Sequence, residues 1–287
     1  MKQIRKAVKA DFEDAYNVLK LFNHPKIKKE DWKRIFTDYW EKNEKYYGYV
    51  LEDNNKIVGF AGAVFSERVI NDREYKFCNL TSIIVRKEYR NQSLAMLYPL
   101  LTMPGYTITV LGPAKETVPI YMKTGFKIMN TNIRIILPKF RLNYRNKPKV
   151  VFNLLEIVKL LNSEERKILD DHINFNCKHI LVKSNIGNCY MVAVKYLRKN
   201  FSFIHIIYIS NKFIFSKFIN NVCMKLMLRY NIIGVLIDDR LTRGKNIPLS
   251  FCYKQKNNVN LYKSSTLTDS HIDLLYTEYF LLDHFSS

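Results

Sequence analysis

Glycine and proline are scarce, 9 and 8 of 287 residues, which leaves little room for long flexible linkers. Cysteine is rare and odd in number: Cys78, Cys177, Cys189, Cys223 and Cys252 are widely spaced, with no CxxC or Cys/His cluster. That pattern excludes a zinc module and reads as reduced, buried thiols of a cytoplasmic protein without a structural metal. Long apolar runs are missing. Stretches such as Phe203–Ile209 are too short to span a bilayer, and the opening MKQIRKAVKADFEDAY has no signal-peptide core. RNP, zinc-finger and helix-turn-helix patterns are absent too, so no specific nucleic-acid partner is expected.

What is present is a folding composition: 47% hydrophobic and 14% aromatic residues over a length that suits two domains. Acidic residues are outnumbered, 26 against 46 basic ones, for a net charge of +20. Such a charge favours anionic partners, whether nucleic acid, an acidic membrane surface or a phosphorylated ligand, and chooses among none of them.

Hydrophobic periodicity gives the first half the order β-α-α-β-β-β-α-β-α-β. Ile4–Val8 reads as a strand, Phe12 to Phe22 and Glu30–Trp40 as amphipathic helices, and Tyr46–Glu52 with Lys56–Phe65 as a hairpin around Asp53-Asn54-Asn55. Tyr75–Arg86, Tyr106–Leu111 and Phe126–Leu137 read as strands, with a short helix after the first and another over Thr117–Lys123. The basic segment PKFRLNYRNKPK, with its two prolines, reads as a linker over residues 139–150 between domains at 1–138 and 151–287. In the second half a helix over Ser163–Phe175 precedes strands Cys189–Tyr196 and Phe201–Ile209, a helix Phe215–Tyr230 and a strand Ile232–Asp238. The last four echo the centre of the first half and predict a mixed-sheet α/β fold in two copies.

One stretch carries chemistry. VRKEYRNQSLAM, Val85 to Met96, follows the apolar run Leu80-Thr81-Ser82-Ile83-Ile84 and joins a strand to a helix through a basic, small-residue turn. About 30 residues on comes Tyr121-Met122-Lys123-Thr124-Gly125-Phe126. Together with the hairpin around Ile57-Val58-Gly59-Phe60, these stretches resemble the GNAT (GCN5-related) acetyltransferase family over roughly residues 3–137. Arg90-Asn91-Gln92-Ser93-Leu94-Ala95 stands where that family has Arg/Gln-x-x-Gly-x-Gly/Ala, and Tyr121 where it has an aromatic shortly before Gly-Phe.

The resemblance implies an acyl-CoA N-acyltransferase (GNAT-like) fold and acetyl-CoA as co-substrate. The diphosphate would rest on helix-end amides at Arg90, Asn91, Gln92, Ser93, Leu94 and Ala95. The pantetheine arm would lie in a gap between the fourth and fifth strands against the backbone of Ile83, Ile84 and Val85. Tyr121 would be the catalytic acid, protonating the leaving thiolate. Three departures stand out: Ser93 replaces a glycine and is strained if its φ is positive, Pro99 falls early in the cofactor helix, and Ala114 replaces a polar residue.

No general base is legible: Asn79, Thr81 and Ser82 are not basic, Glu67, Asp72 and Glu74 are expected in a loop, and His24 precedes a proline. The acceptor reads as a small molecule or sugar-like compound, with Tyr46-Tyr47-Gly48-Tyr49 as a stacking candidate, and both N- and O-transfer remain open. The second half would be a degenerate copy in which Asp238-Asp239-Arg240 adds polar residues to a cleft. The competing reading is a non-catalytic scaffold of the same shape that grips an anionic partner.

Overall fold

The computed structural model describes residues 2–40, 42–137, 148–198, 200–242, 247, 249–253 and 259–283. In chain order the first half forms β1 (Lys2–Lys6), α1 (Phe12–Leu19), α2 (Lys29–Arg34), β2 (Gly48–Asp53), β3 (Lys56–Ile70), β4 (Arg73–Val85), α3 (Ser93–Leu101), β5 (Tyr106–Leu111), α4 (Val118–Lys123), β6 (Lys127–Met129) and β7 (Ile133–Ile136). The second forms β8 (Lys149–Val151), α5 (Leu154–Val158), α6 (Ser163–His172), β9 (Lys178–Ser184), β10 (Gly187–Arg198), β11 (Phe201–Ile209), α7 (Lys212–Tyr230), β12 (Gly234–Asp238), β13 (Ser250–Tyr253), β14 (Asn260–Lys263) and α8 (Glu278–Leu281).

These strands build two seven-stranded sheets, ordered β1-β2-β3-β4-β5-β14-β6 and β13-β7-β12-β11-β10-β9-β8. Read from the N-terminal edge, the two orders match strand for strand. In each, four antiparallel neighbours lead to one parallel step, β4 on β5 and β11 on β12. The position after the parallel pair is filled from the other half of the chain, by β14 in the first sheet and by β7 in the second.

This exchange corrects one expectation. Phe126–Leu137 is not one strand, because the Asn130 side chain accepts the Asn132 N–H at 2.9 Å and turns the chain between β6 and β7. Two compact units change over at 129/130, and each takes in later segments: 259–271 and 276–283 join the first, 272–275 the second. Residues 138–147 of the expected linker lie outside the described residues, and Lys149 and Val150 begin a strand.

In the first unit one sheet face buries Cys78, Leu80, Ile108 and Val110 with Met96, Leu100 and Tyr121. The other packs Val50, Ile57 and Phe60 against Phe12, Ala15, Val18, Trp32, Ile35 and Phe36. The helix expected to reach Trp40 stops at Arg34, although Ile35, Phe36 and Trp40 are buried as the periodicity requires. In the second unit α7, nineteen residues long, covers its sheet with Ile214, Phe215, Phe218, Val222 and Leu226. Four cysteines are buried as expected, whereas Cys252, on the outermost strand β13, is exposed.

Candidate active site

The site begins where two parallel strands part. β4 and β5 stay in register from Lys76 opposite Tyr106 to Leu80 opposite Val110, and there the pairing ends. β4 continues to Val85 along β3, while β5 continues along β14. A bulge marks the point of departure. The β3–β4 register slips between Phe60 and Gly62, and Ser82 takes φ of 54°, left-handed for a non-glycine residue. A bulge bends its strand and increases local twist, which steers β4 away from β5.

Beyond the bulge, the Arg86 N–H donates to Val58 O at 2.9 Å and Ile84 stands opposite Phe60. Alternate residues of an antiparallel strand address the same neighbour, so Ile83 and Val85 turn their main-chain groups to the side β5 has left. These groups suit the amides of an extended pantetheine arm. Of the three sequence-predicted residues, Ile83 and Val85 thus present main-chain groups at this edge, whereas those of Ile84 face β3.

The basic turn after β4 is itself wound. Lys87–Gln92 is wound as a 3-10 helix that runs directly into α3. The Tyr89 N–H donates to Arg86 O at 2.9 Å, and the Ser93 N–H to Arg90 O. Arg90 O also accepts the Ser93 hydroxyl at 2.7 Å. Ser93 therefore has an ordinary helical φ of −57°, and the strain expected there sits at Ser82 instead. Arg90, Asn91, Leu94 and Ala95 are exposed, Gln92 and Ser93 half-buried. Pro99 lies within α3, which ends two residues later at Leu101.

Tyr121 is placed by a helix terminator. The Gly125 N–H donates to Met122 O (3.1 Å) and the Phe126 N–H to Tyr121 O (3.1 Å), with Gly125 at φ of 90°. This is the Schellman arrangement, and its usual apolar contact is the Tyr121–Phe126 ring pair, with centroids 5.3 Å apart. The spacing Tyr-x-x-x-Gly-Phe is thus a capping device that fixes the phenol's ring. Tyr121 is buried in the cluster that includes Leu80 and Val110, the last paired rung, and burial pushes its hydroxyl up to about 12. It keeps its proton at any ordinary pH.

The opposite face of the same rungs is polar although buried. Ser66, Asn79, Thr81, Thr107 and Thr109 lie within the protein, a costly content for a core. The Asn79 amide donates to Thr109 Oγ1 at 3.1 Å and accepts the Glu278 N–H at 3.0 Å. Glu278 is 5% exposed, its Oε2 is sealed from solvent without a hydrogen-bond partner among the described residues, and burial raises its carboxyl from 4.5 to about 8. No sequence pattern marks this residue, because it reaches Asn79 from 199 positions away.

The other acids considered lie elsewhere. β3 and β4 extend to a two-residue turn at Asn71 and Asp72, so Glu67 and Glu74 stand on strands rather than in a loop. Glu74 is roughly 17 Å from Asn79 along β4 at about 3.3 Å per residue. His24 staples its own turn, its Nδ1 accepting the Ile27 N–H at 3.3 Å. Tyr46 and Tyr47 are core residues, the first edge-on to Phe65 and the second donating to Asp38 at 3.0 Å.

The second unit repeats the strand divergence: β11 and β12 pair from Phe203 opposite Gly234 to Ile206 opposite Ile237, and β11 runs on to Ile209. Its helix start is closed differently. Asn211 caps α7 by accepting the Ile214 N–H at 3.0 Å, so no small-residue turn presents free amides there. Asp238 is engaged by Arg240, and Asp239 by Arg134 at 2.7 Å.

Comparison with known proteins agrees with this fold. The acetyltransferase (GNAT) family pattern matches residues 7–96. The fold resembles a GCN5-related N-acetyltransferase from Anabaena variabilis (TM-score 0.57, 14% identity, 92% of this chain and 72% of that one). It also resembles a probable N-acyltransferase from Enterococcus faecalis (TM-score 0.58, 11% identity, 91% and 72%) and Eis1 from Mycobacterium abscessus (TM-score 0.51, 14% identity, 91% and 73%). No curated protein sequence matches the chain. Residues 7–96 of this chain are thus similar to the acetyltransferase (GNAT) family.

Proposed function

We propose that the first unit transfers an acetyl group directly from acetyl-CoA to the amine or hydroxyl of a small-molecule or sugar-like acceptor, with Tyr121 as the acid. The observation that carries this reading is the parting of β4 and β5 beyond Leu80 and Val110. It leaves main-chain groups at Ile83 and Val85 for a pantetheine arm. Arg90, Asn91, Leu94 and Ala95 offer an exposed turn for the diphosphate, and the 3-10 winding there is the weaker helical ladder that an anion can displace. Acetyl-CoA supplies an activated thioester carbonyl. The chain supplies orientation, through the free strand edge, and a phenol held neutral that can protonate a departing thiolate.

Calorimetric and thermal-shift titration with acetyl-CoA tests this. At about one hundred times Kd, linkage gives about 2.7 kcal/mol of stabilisation, a shift of several degrees. Tyr121→Phe is expected to lower kcat by about 10²-fold with CoA affinity unchanged, and Arg90→Ala to weaken CoA binding by about tenfold. An unchanged melting temperature at millimolar acetyl-CoA would overturn the reading, and salt-sensitive adherence to anionic polymers alone would favour the scaffold alternative.

A further inference from the structure

The net charge of +20 names no partner, but its distribution marks a surface. From His172 to Ile237 the chain holds no aspartate or glutamate, although 26 are spread over the rest, and nine lysines and arginines fall in that stretch. It forms β9, β10, β11 and α7 of the second unit. The inner face of α7 is committed to the sheet through Phe215, Val222 and Leu226. On its outer face Phe213, Lys217, Met224 and Leu228 fall within an arc of about 60°, a stripe about 22 Å long. Phe213 is 63% exposed and Leu228 75%. The stripe continues past the helix. The Ile233 N–H donates to Ser202 O at 3.0 Å, and Ser202 stands opposite Leu197 on β10. Ala193 packs under α7, so alternation puts Lys195 and Leu197 on the same face of the sheet. Lys195, Leu197 and Ile233 are all exposed.

Among the described residues Lys195, Lys217, Lys225 and Arg229 make no ion pair with an acid. Lys217 lies 5.9 Å from the ring centre of Phe213, and Arg229 the same distance from that of Phe152. Basic side chains that rest their stems on apolar groups and keep their heads in water suit a boundary between the two media. Nucleic-acid phosphates would satisfy the cations and leave Phe213 and Leu228 in water, whereas a bilayer with anionic headgroups satisfies both. We propose that the outer face of α7, with the adjoining end of the β10–β11 pair, docks the protein on an anionic lipid surface.

The contact is peripheral. Among the described residues no helix is long and apolar enough to cross a membrane, and α7 keeps its inner face on the sheet. Phe213 and Leu228 enter the boundary between headgroups and acyl chains, while Lys217, Lys225 and Arg229 meet headgroup phosphates and carboxylates. Each half of the contact is weak by itself. Two large apolar side chains bury too little area to hold a folded protein on a neutral bilayer, and exposed charges alone are screened by salt. Binding therefore requires both. None of these residues belongs to the turn at Arg90 or to the surroundings of Tyr121, so the proposal does not rest on the transferase reading.

The test is flotation of the full-length chain with vesicles of phosphatidylcholine alone or with about 30% phosphatidylserine, at about 0.1 and about 0.5 M salt. Binding is expected only with phosphatidylserine, and weaker by about tenfold at the higher salt. Lys217→Glu with Lys225→Glu should lower the partition coefficient by at least about tenfold. Lys20→Glu with Lys33→Glu, an equal charge change at exposed positions of the first unit, should stay within about threefold of wild type. Phe213→Ser with Leu228→Ser should lower it by about tenfold at unchanged charge. These α7 positions are exposed, so melting temperatures should hold and separate lost binding from lost fold. The inference is overturned if no vesicle is bound at low salt, or if the first-unit pair weakens binding as much as the α7 pair. It is equally overturned if the serine double variant binds within about twofold of wild type. Tighter binding to duplex DNA of about 20 base pairs, lost with the same two lysines, would overturn it in favour of a nucleic-acid face.

Discussion

Glu278 and Tyr121 share one physical state, a protonated side chain kept neutral by burial, and the consequences differ. For Tyr121 the shift lies beyond the working range. For Glu278 it crosses neutrality: unfolded, the carboxyl ionises near 4.5, and folded, it holds its proton to about 8. Between those values the native state binds more protons than the unfolded state, so raising the pH removes stability. Glutamine does not titrate. Denaturant unfolding is therefore expected to show wild type losing ground to Glu278→Gln from pH 4.5 to 8, at up to about 1.4 kcal/mol per pH unit. A difference that stays flat across that window would mean the carboxyl is ionised in the native state. Tyr121 was legible through its resemblance to a family motif, because that motif is a local device, a helix terminator at Gly125. Glu278 was not, because nothing local distinguishes it from a solvated acid.

Among the elements, β4 decides the site. Its composition announces a strand, and the strand runs to Val85 almost as read. The bulge at Ser82 is invisible in the sequence, since serine carries no left-handed signal, yet it turns Ile83 and Val85 from sheet residues into a free edge. Holding a side chain at φ of 54° costs about 1 kcal/mol, and more for a β-branched one. Ser82→Gly is thus expected to stabilise by up to about 1 kcal/mol and Ser82→Val to destabilise by more than that, read as shifts in the urea midpoint. Equal stability of the three forms would show that the bulge is not held at this residue. Ser93 teaches the converse: a position suspected of strain from a family glycine is ordinary helix here, because the turn is wound as 3-10.

At the scale of the molecule, the two sheets are complete only because each borrows a strand from the other half of the chain. β14 sits between β5 and β6, and its Lys263 also donates to Leu101 O at 2.9 Å, capping the end of α3. A fragment of residues 1–137 would leave β5 and β6 without the strand that joins them and Asn79 without the Glu278 N–H. Such a fragment is expected to aggregate, or to give a poorly dispersed amide spectrum where the full chain is well dispersed. A cooperative, soluble fragment that binds acetyl-CoA would refute this dependence.

Periodicity by itself determined the mixed α/β class of fold and the order of nearly all first-half elements, while Tyr121 was singled out by resemblance to a family motif. Each of these is written in residues within a few turns of one another. Only the tertiary structure decided which strand completes which sheet, where β4 leaves β5, and that an acid near the end of the chain stands beside Asn79. Those outcomes rest on pairing and burial between segments far apart in sequence, where hydrophobic pattern specifies that a face is covered but not by what.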